Sequence, residues 1–88
     1  MLEFDAIIDN KIGMHLRAAG EFVQVANRFQ SEILVVKDGK KANGKSILGL
    51  ASLAIERGAV ITIQIDGDDE EDAREALEEL IDAKFYED

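Results

Sequence analysis

The single histidine of the sequence, His15, lies in a setting that suits the handling of an anion. It stands between a segment with strand-like alternation and a segment with helical periodicity, so we expect it at the N-terminus of a helix. Free backbone N–H groups and the positive end of the helix dipole converge there, and both stabilise a bound phosphate. Arg17 adds a planar guanidinium that can pair with phosphoryl oxygens, and Gly13 permits a sharp turn into the helix. Because imidazole is a good nucleophile near neutral pH, a phosphoryl group carried on His15 is one interpretation of these residues, and an ordinary surface histidine at a helix start is the alternative at this point.

Ser46 occupies a second position of this kind. Asn43 and Gly44 predict a turn, after which Ser46 can cap a short and very apolar helix. Three apolar side chains close to the two predicted helix starts are candidates for a docking surface: Leu16, Ile47 and Leu48. Two alternatives stay open at this point, that Ser46 is a plain cap and that these apolar side chains belong to the ordinary core.

Other chemistries compete with this interpretation. Residues 39–46 fit the P-loop pattern G-x-x-x-x-G-K-[ST], but a nucleoside-triphosphatase needs several parallel strands, and Asp38-Gly39 is instead a strong hairpin signal. The cluster of carboxylates in residues 66–72 could indicate a calcium site, but the glycine and glutamate spacing of an EF-hand is missing. His15 and Ser46 lie in separate turns without the signature of a hydrolase, which argues against a catalytic triad. We therefore expect neither ATP hydrolysis nor a bound metal or cofactor.

The elements that position these residues follow from the hydrophobic periodicity. Strands are expected over residues 2–8, 33–37, 40–43 and 61–66, and helices over residues 16–28, over 47–53 with Gly58 closing that segment, and after a cap at Asp68 or Asp69. Apolar stripes at helical spacing should face the core, with Ala19, Phe22, Val23 and Ala26 in the first helix and Ala73, Ala76, Leu77, Leu80 and Ile81 in the last. The order βαββαβα predicts an α+β fold, an open-faced sandwich with three helices covering one side of a four-stranded antiparallel sheet.

Composition and charge limit the possible partners. The 88 residues, of which 47% are hydrophobic, leave room for one modest core and a single domain over 1–88. A net charge of −9 opposes binding to nucleic acid or to an anionic membrane. Residues 1–65 carry 8 basic and 7 acidic side chains, whereas residues 66–88 carry 2 and 12, so the first part is the candidate anion-handling surface. No segment reads as a signal peptide, and we expect a cytoplasmic protein.

Two stretches of the sequence resemble the signatures of the HPr family of the bacterial phosphoenolpyruvate:sugar phosphotransferase system. They are Gly-Met-His-Leu-Arg-Ala-Ala at residues 13–19 and Gly-Lys-Ser-Ile-Leu-Gly at residues 44–49, and the resemblance extends over essentially the whole chain. It implies that His15 is the phosphorylated histidine, carrying the group on Nδ1, that Arg17 helps to position it, and that Ser46 is a regulatory serine. It also implies the same βαββαβα sandwich.

Two positions depart from the family's usual pattern. Many members have a proline where this chain has Ala18, and a small residue where it has Leu16. Without the proline ring, the turn that holds His15 is less preorganised. Leu16 is expected to change the contacts with partner proteins.

The resemblance implies a monomeric phosphocarrier that accepts a phosphoryl group on His15 from Enzyme I and passes it to Enzyme IIA domains for sugar uptake. An HPr serine kinase/phosphorylase would act on Ser46. Such a chain is an intermediate of phosphoryl transfer rather than a stand-alone enzyme. One alternative is a regulatory, nitrogen-type protein of the same fold, whose phosphorylation state controls other proteins. Another is a ligand-binding or structural α+β domain, against which His15 and Arg17 together argue.

Overall fold

The computed structural model describes residues 1–87 and has the element order βαββαβα that the sequence predicts. The strands are β1 (Leu2–Ile7), β2 (Glu32–Lys37), β3 (Lys40–Asn43) and β4 (Val60–Asp66). The helices are α1 (Leu16–Ala26), α2 (Ile47–Ser52) and α3 (Glu70–Asp82). A short 3-10 turn over Lys84–Tyr86, which the periodicity did not predict, follows α3. Within the described part of the chain, no helix is long and apolar enough to cross a membrane.

The four strands form one antiparallel sheet in the order β1-β4-β2-β3. Successive residues of a strand point to opposite faces, and alternate residues of β4 are fully buried on the inner face: Ile61, Ile63 and Ile65. On the outer face, Thr62 donates a hydrogen bond to Asp5 (2.7 Å) and Gln64 donates one to Glu3 (3.0 Å). One face therefore packs into the core and the other remains open, which confirms the predicted open-faced sandwich.

The helices bury their apolar stripes in the same core as the inner face of the sheet. The predicted stripe of α1 is buried in full: Ala19, Phe22, Val23 and Ala26. The stripe of α3 is buried at Ala73, Leu77, Leu80 and Ile81, and Ala76 is half-buried. Full burial of one side chain the size of Phe22 stabilises the fold by about 2 to 3 kcal/mol. Helix periodicity in the sequence is thus sufficient to orient both long helices.

The hairpin between β2 and β3 has the turn that its sequence indicates. Asp38 and Gly39 have φ angles of 52° and 80°, as a two-residue type I′ turn requires. The pattern of residues 39–46 therefore begins inside an antiparallel hairpin and does not form a P-loop after a parallel strand.

Several element boundaries differ from the prediction by one or two residues, most clearly at the ends of α1 and α2. Helix α1 ends at Ala26, two residues before the predicted end. Helix α2 ends at Ser52, because Leu53 is its C-cap and Ala54 takes a left-handed φ of 53° that no helix can continue. Gly58, with a φ of 88°, lies in the turn before β4 and closes the segment that follows α2.

The predicted capping hydrogen bond at the start of α3 is absent. Asp69 does stand at the N-cap position, but its side chain makes no capping hydrogen bond. Its carboxylate accepts the backbone N–H groups of Gln30 (2.8 Å) and Ser31 (3.0 Å) and the Ser31 hydroxyl. Because the Ser31 side chain is buried, its hydroxyl needs a partner within the protein. Asp69 therefore ties the start of β2 to α3.

Candidate functional site

His15 caps α1 with its own imidazole ring. The Nδ1 atom accepts a hydrogen bond from the backbone N–H of Arg17 (3.3 Å), and the His15 carbonyl accepts one from the N–H of Ala19 (2.8 Å). The His15 backbone is extended (φ −78°, ψ −175°), and helical geometry begins at Leu16. The structure therefore places His15 at the helix N-terminus, with Nδ1 directed at the first turn.

The turn before His15 is held by main-chain contacts. The N–H of Gly13 bonds to the Asn10 carbonyl (3.0 Å), and the N–H of Met14 bonds to the Ile55 carbonyl (2.9 Å). Gly13 has a φ of 75°, and a Cβ at this position would lie 2.5 Å from the Ile55 carbonyl oxygen. A side chain cannot be accommodated there, so glycine is required to bring His15 to the helix start.

The other ring nitrogen of His15 contacts Glu87, which follows the 3-10 turn after α3. Nε2 lies 2.6 Å from Oε2 of Glu87, and the two side chains are 29% and 10% exposed. The second carboxylate oxygen, Oε1, accepts a hydrogen bond from Nδ2 of Asn10 (3.1 Å). Asn10 is buried and also donates to the Gly13 carbonyl (2.5 Å), so one amide holds both the carboxylate and the turn before His15.

The partners of the two ring nitrogens define the tautomer of neutral His15. Nδ1 faces an N–H donor and must therefore present its lone pair. Nε2 faces a carboxylate and must therefore carry the hydrogen. The lone pair of the neutral ring is consequently on Nδ1, at the end of α1 where an anion is favoured.

The Glu87 carboxyl is kept ionised by its neighbours. Burial raises its pKa, but the hydrogen bonds from Asn10 and His15, together with the electrostatic attraction of His15 and Arg17, outweigh this effect. The pKa of Glu87 is therefore below its usual range, and Glu87 is an anion at neutral pH.

Neither Glu87 nor Asn10 has a local sequence signal that marks it as part of this site. Glu87 is 72 residues from His15, so no local spacing connects them, and only the packing of α3 and its following turn brings them together. Asn10 follows a predicted strand, in a position where asparagine is common in ordinary loops. Its burial depends on the same long-range packing.

Arg17 contributes its backbone to His15, while its side chain points elsewhere. The guanidinium is 64% exposed, and its Nε lies 3.7 Å from Oε1 of Glu21, one helical turn further on. Exposed ion pairs at this spacing contribute only tenths of a kcal/mol. The guanidinium can therefore leave Glu21 at little cost when an anion is present.

Ser46 caps α2, in a different turn from the one that holds His15. Its hydroxyl oxygen accepts the backbone N–H of Gly49 (3.0 Å), and its own N–H bonds to the Asn43 carbonyl (3.0 Å). In residues 1–87, no hydrogen bond joins Ser46 to His15. The structure thus supplies two separate helix starts, as the sequence indicates.

The predicted docking side chains lie on the surface. Leu16, Ile47 and Leu48 are 62%, 41% and 78% exposed, whereas other apolar residues of this region are buried, including Leu50 and Leu53. Ile47 packs over α1, because its Cδ1 atom would lie 3.9 Å from a Cβ placed on Gly20, one turn beyond Leu16. These three side chains, which we call the apolar patch, therefore join the starts of α1 and α2 and are not core. Ile12, three residues before His15 in the sequence, is also exposed and was not predicted.

Comparison with known proteins identifies the family. Residues 2–83 match the family model described as the PTS HPr component phosphorylation site. The phosphocarrier protein HPr of Xylella fastidiosa (strain 9a5c) is 44% identical over 88 residues, which cover 100% of this chain and 99% of the relative. The HPr-like protein Crh of Halalkalibacterium halodurans is 53% identical over 77 residues, or 88% of this chain and 92% of the relative. The solved structure of HPr-C-His from Thermoanaerobacter tengcongensis has a TM-score of 0.96 at 49% identity, covering 100% of this chain and 99% of that chain.

The sandwich fold and the histidine at a helix start define a small phosphocarrier-like protein. The chain belongs to the HPr family of phosphocarrier proteins of the phosphotransferase system. Membership implies partner proteins of that system in general.

Proposed function

We propose that this chain accepts a phosphoryl group on Nδ1 of His15 from Enzyme I and passes it to Enzyme IIA domains for sugar uptake. The observation that carries the proposal is the orientation of His15, whose Nδ1 presents its lone pair at the N-terminus of α1. The proposal includes a single domain over residues 1–88, a monomeric state, a cytoplasmic location and chemistry without a cofactor.

The surroundings of Nδ1 suit phosphoryl transfer because they place donors where charge develops. In such a transfer, negative charge spreads over the three equatorial phosphoryl oxygens, and catalysis consists mainly of positioning and electrostatic stabilisation. The first turn of α1 supplies N–H groups without partners inside the helix, together with the positive end of its dipole. The N–H of Arg17 now bonds to the Nδ1 lone pair. Once that pair bonds to phosphorus, the N–H is free to donate to a phosphoryl oxygen.

Partner docking is proposed for the apolar patch. Its exposed side chains lie at the starts of α1 and α2, so a partner that covers them together with His15 would exclude water from the phosphoryl group. Ser46 immediately precedes two of these side chains, which makes it a suitable position for regulation by a serine kinase.

The experiment that tests the carrier function is labelling with phosphoenolpyruvate and purified Enzyme I. We expect one phosphate per chain, labile in acid and stable in alkali, as a phosphoramidate on His15 would be. The variant His15→Ala should take up none while keeping its fold. Undiminished labelling of this variant would place the chemistry at another residue.

A second candidate is a regulatory, nitrogen-type HPr-like protein whose phosphorylation state controls other proteins. The observation that favours it is the similarity to Crh, which is 53% identical in Halalkalibacterium halodurans and which in Bacillus subtilis is named for catabolite repression, a regulatory process. Rapid delivery of the labelled phosphate to a sugar-specific Enzyme IIA domain would support the carrier function. Labelling without such delivery would support the regulatory alternative.

A further inference from the structure

The Glu87 carboxylate is held against His15 by more than one contact. Oε2 lies 2.6 Å from Nε2 of His15, and Oε1 lies 3.1 Å from Nδ2 of Asn10. The Asn10 amide cannot be turned over, because its oxygen would then face the Gly13 carbonyl and the carboxylate, both of which are acceptors. A buried donor of fixed orientation therefore determines where the Glu87 carboxylate lies.

The backbone that carries Glu87 has a conformation that residues with side chains rarely adopt. Lys84, Phe85 and Tyr86 have φ angles of 53°, 56° and 57°, in the left-handed region. Complete burial of the Phe85 side chain offsets this unfavourable backbone, and the N–H of Glu87 bonds to the Lys84 carbonyl (3.1 Å). An unfavourable conformation that persists beside a functional site points to a role for the group that it positions. Here that group is the Glu87 side chain.

We propose that Glu87 is a positioning residue for phosphoryl transfer, which keeps the proton on Nε2 of His15 before, during and after the reaction. The proposal rests on the function proposed for His15. A carboxylate that binds one nitrogen of an imidazole fixes both the tautomer and the orientation of the ring, as the aspartate of a catalytic triad does. In this protein the nitrogen left free is Nδ1, the one at the start of α1.

The transfer step then needs no movement of a proton on this chain. The Nδ1 lone pair forms the N–P bond while the bond from phosphorus to the donor breaks, and the breaking pair stays on the donor. The His15 ring, still protonated on Nε2, becomes a phosphoimidazolium whose positive charge lies beside the Glu87 carboxylate. When the group moves on, the N–P pair returns to Nδ1 and the ring departs as neutral imidazole, which is a better leaving group than imidazolate. The carboxylate lies at Nε2, away from the nitrogen that carries the phosphoryl group.

Nitrogen-15 NMR of the unphosphorylated full chain tests the first half of this proposal. The parent should show neutral His15 almost entirely as the Nε2–H tautomer, whereas Glu87→Gln should show a several-fold larger share of the Nδ1–H tautomer. Glu79→Gln, which removes the same charge from an exposed position of α3, is the matched control and should resemble the parent. Because no phosphate is involved, this measurement remains decisive even if Enzyme I fails to label the parent. Such a failure would overturn the carrier function instead.

The pH dependence of transfer to Enzyme IIA tests the second half. An opposite charge in contact is typically worth a factor of about ten in the ionisation of its neighbour. We therefore expect Glu87→Gln to lose about tenfold in rate on the alkaline side, where Nε2 of the phosphorylated ring loses its proton, and little in mildly acidic solution. Glu87→Gln should remain folded at every pH tested, and Glu79→Gln should keep the parental profile. An unchanged tautomer ratio, or a rate defect of equal size at every pH, would overturn the proposal.

Discussion

At the scale of single residues, the site divides its tasks between atoms of the same side chain. One nitrogen of His15 faces the start of α1 and the other faces a carboxylate, so the lone pair and the proton lie on opposite sides of the ring. The backbone and the side chain of Arg17 also have separate contacts: its N–H contacts Nδ1 of His15, while its guanidinium lies beside Glu21. The guanidinium is therefore free to act on the phosphoryl group without altering the resting geometry of His15.

The first prediction follows from this division. Arg17→Ala should slow transfer from Enzyme I by at least about tenfold, roughly 1.4 kcal/mol of transition-state stabilisation, because the phosphoryl oxygens lose a charged donor. The backbone N–H remains, so His15 should keep its capping bond and the melting temperature should hardly change. Arg28→Ala removes a charge beyond the other end of α1 and serves as the control. Equal rates for the two variants at low ionic strength would mean that the backbone donors are sufficient.

At the scale of elements, local patterns predict what local contacts decide. The alternation of Ile61, Ile63 and Ile65 gives β4 correctly, and Asp38-Gly39 gives the hairpin, because each signal depends on neighbours in sequence. Asp69 shows where this reasoning ends. Its position at the start of α3 could be predicted, but its partners could not, since Gln30 and Ser31 lie 39 and 38 residues away in the sequence. A buried hydroxyl and two backbone donors displaced the local capping bond.

The second prediction concerns the pH dependence of this contact. The hydrogen bonds from Ser31 and Gln30 lower the pKa of Asp69 below its usual value, so the folded state binds its proton less readily than the unfolded chain. Its stabilising effect is therefore fully present above the pKa of an ordinary aspartate, near 3.8, and is lost as the pH falls below that value towards the folded pKa. Asp69→Asn should melt lower than the parent at neutral pH, and the two melting curves should converge in acid.

Ser31→Ala is the companion variant for this test. It removes the hydroxyl contact but leaves the two backbone donors to Asp69, so we expect a loss of about 1 kcal/mol. A constant difference in melting temperature between parent and Asp69→Asn, from neutral pH down to pH values below the ordinary aspartate range, would show that the carboxylate charge is not involved.

At the scale of the whole molecule, the functional face is assembled from segments that are distant in the sequence. His15, Glu87 and the apolar patch meet only because α1, α2 and the turn after α3 pack side by side. The histidine and the two helix starts could be predicted because each has a local signature. The Glu87 contact could not, because it requires the left-handed turn at Phe85, for which the sequence offers no glycine. Exposure of the apolar patch likewise became clear only from the packing.

The last prediction uses this assembled face to separate stability from recognition. Ser46 caps α2, and aspartate is an equally good capping residue, with a charge that the helix dipole favours. Ser46→Asp should therefore melt no lower than the parent. Ser46→Ala loses the cap and should be less stable by about 1 kcal/mol, yet it should accept phosphate from Enzyme I at the parental rate. We therefore expect Ser46→Asp to transfer slowly without melting lower, and Ser46→Ala to melt lower without transferring slowly.

The slower transfer expected for Ser46→Asp arises at the interface, because the new charge stands beside Ile47 and Leu48, and a partner that covers these side chains must desolvate it. An acidic surface on the donor would also be repelled, and this repulsion weakens as salt screens it. A phosphate on Ser46, with about two charges, should act in the same direction and more strongly. We therefore expect Ser46→Asp to accept phosphate from Enzyme I more slowly, with a defect that shrinks as salt is raised. A variant that is slow and also melts markedly lower would contradict this mechanism, and a variant with the parental rate would leave Ser46 as a helix cap alone.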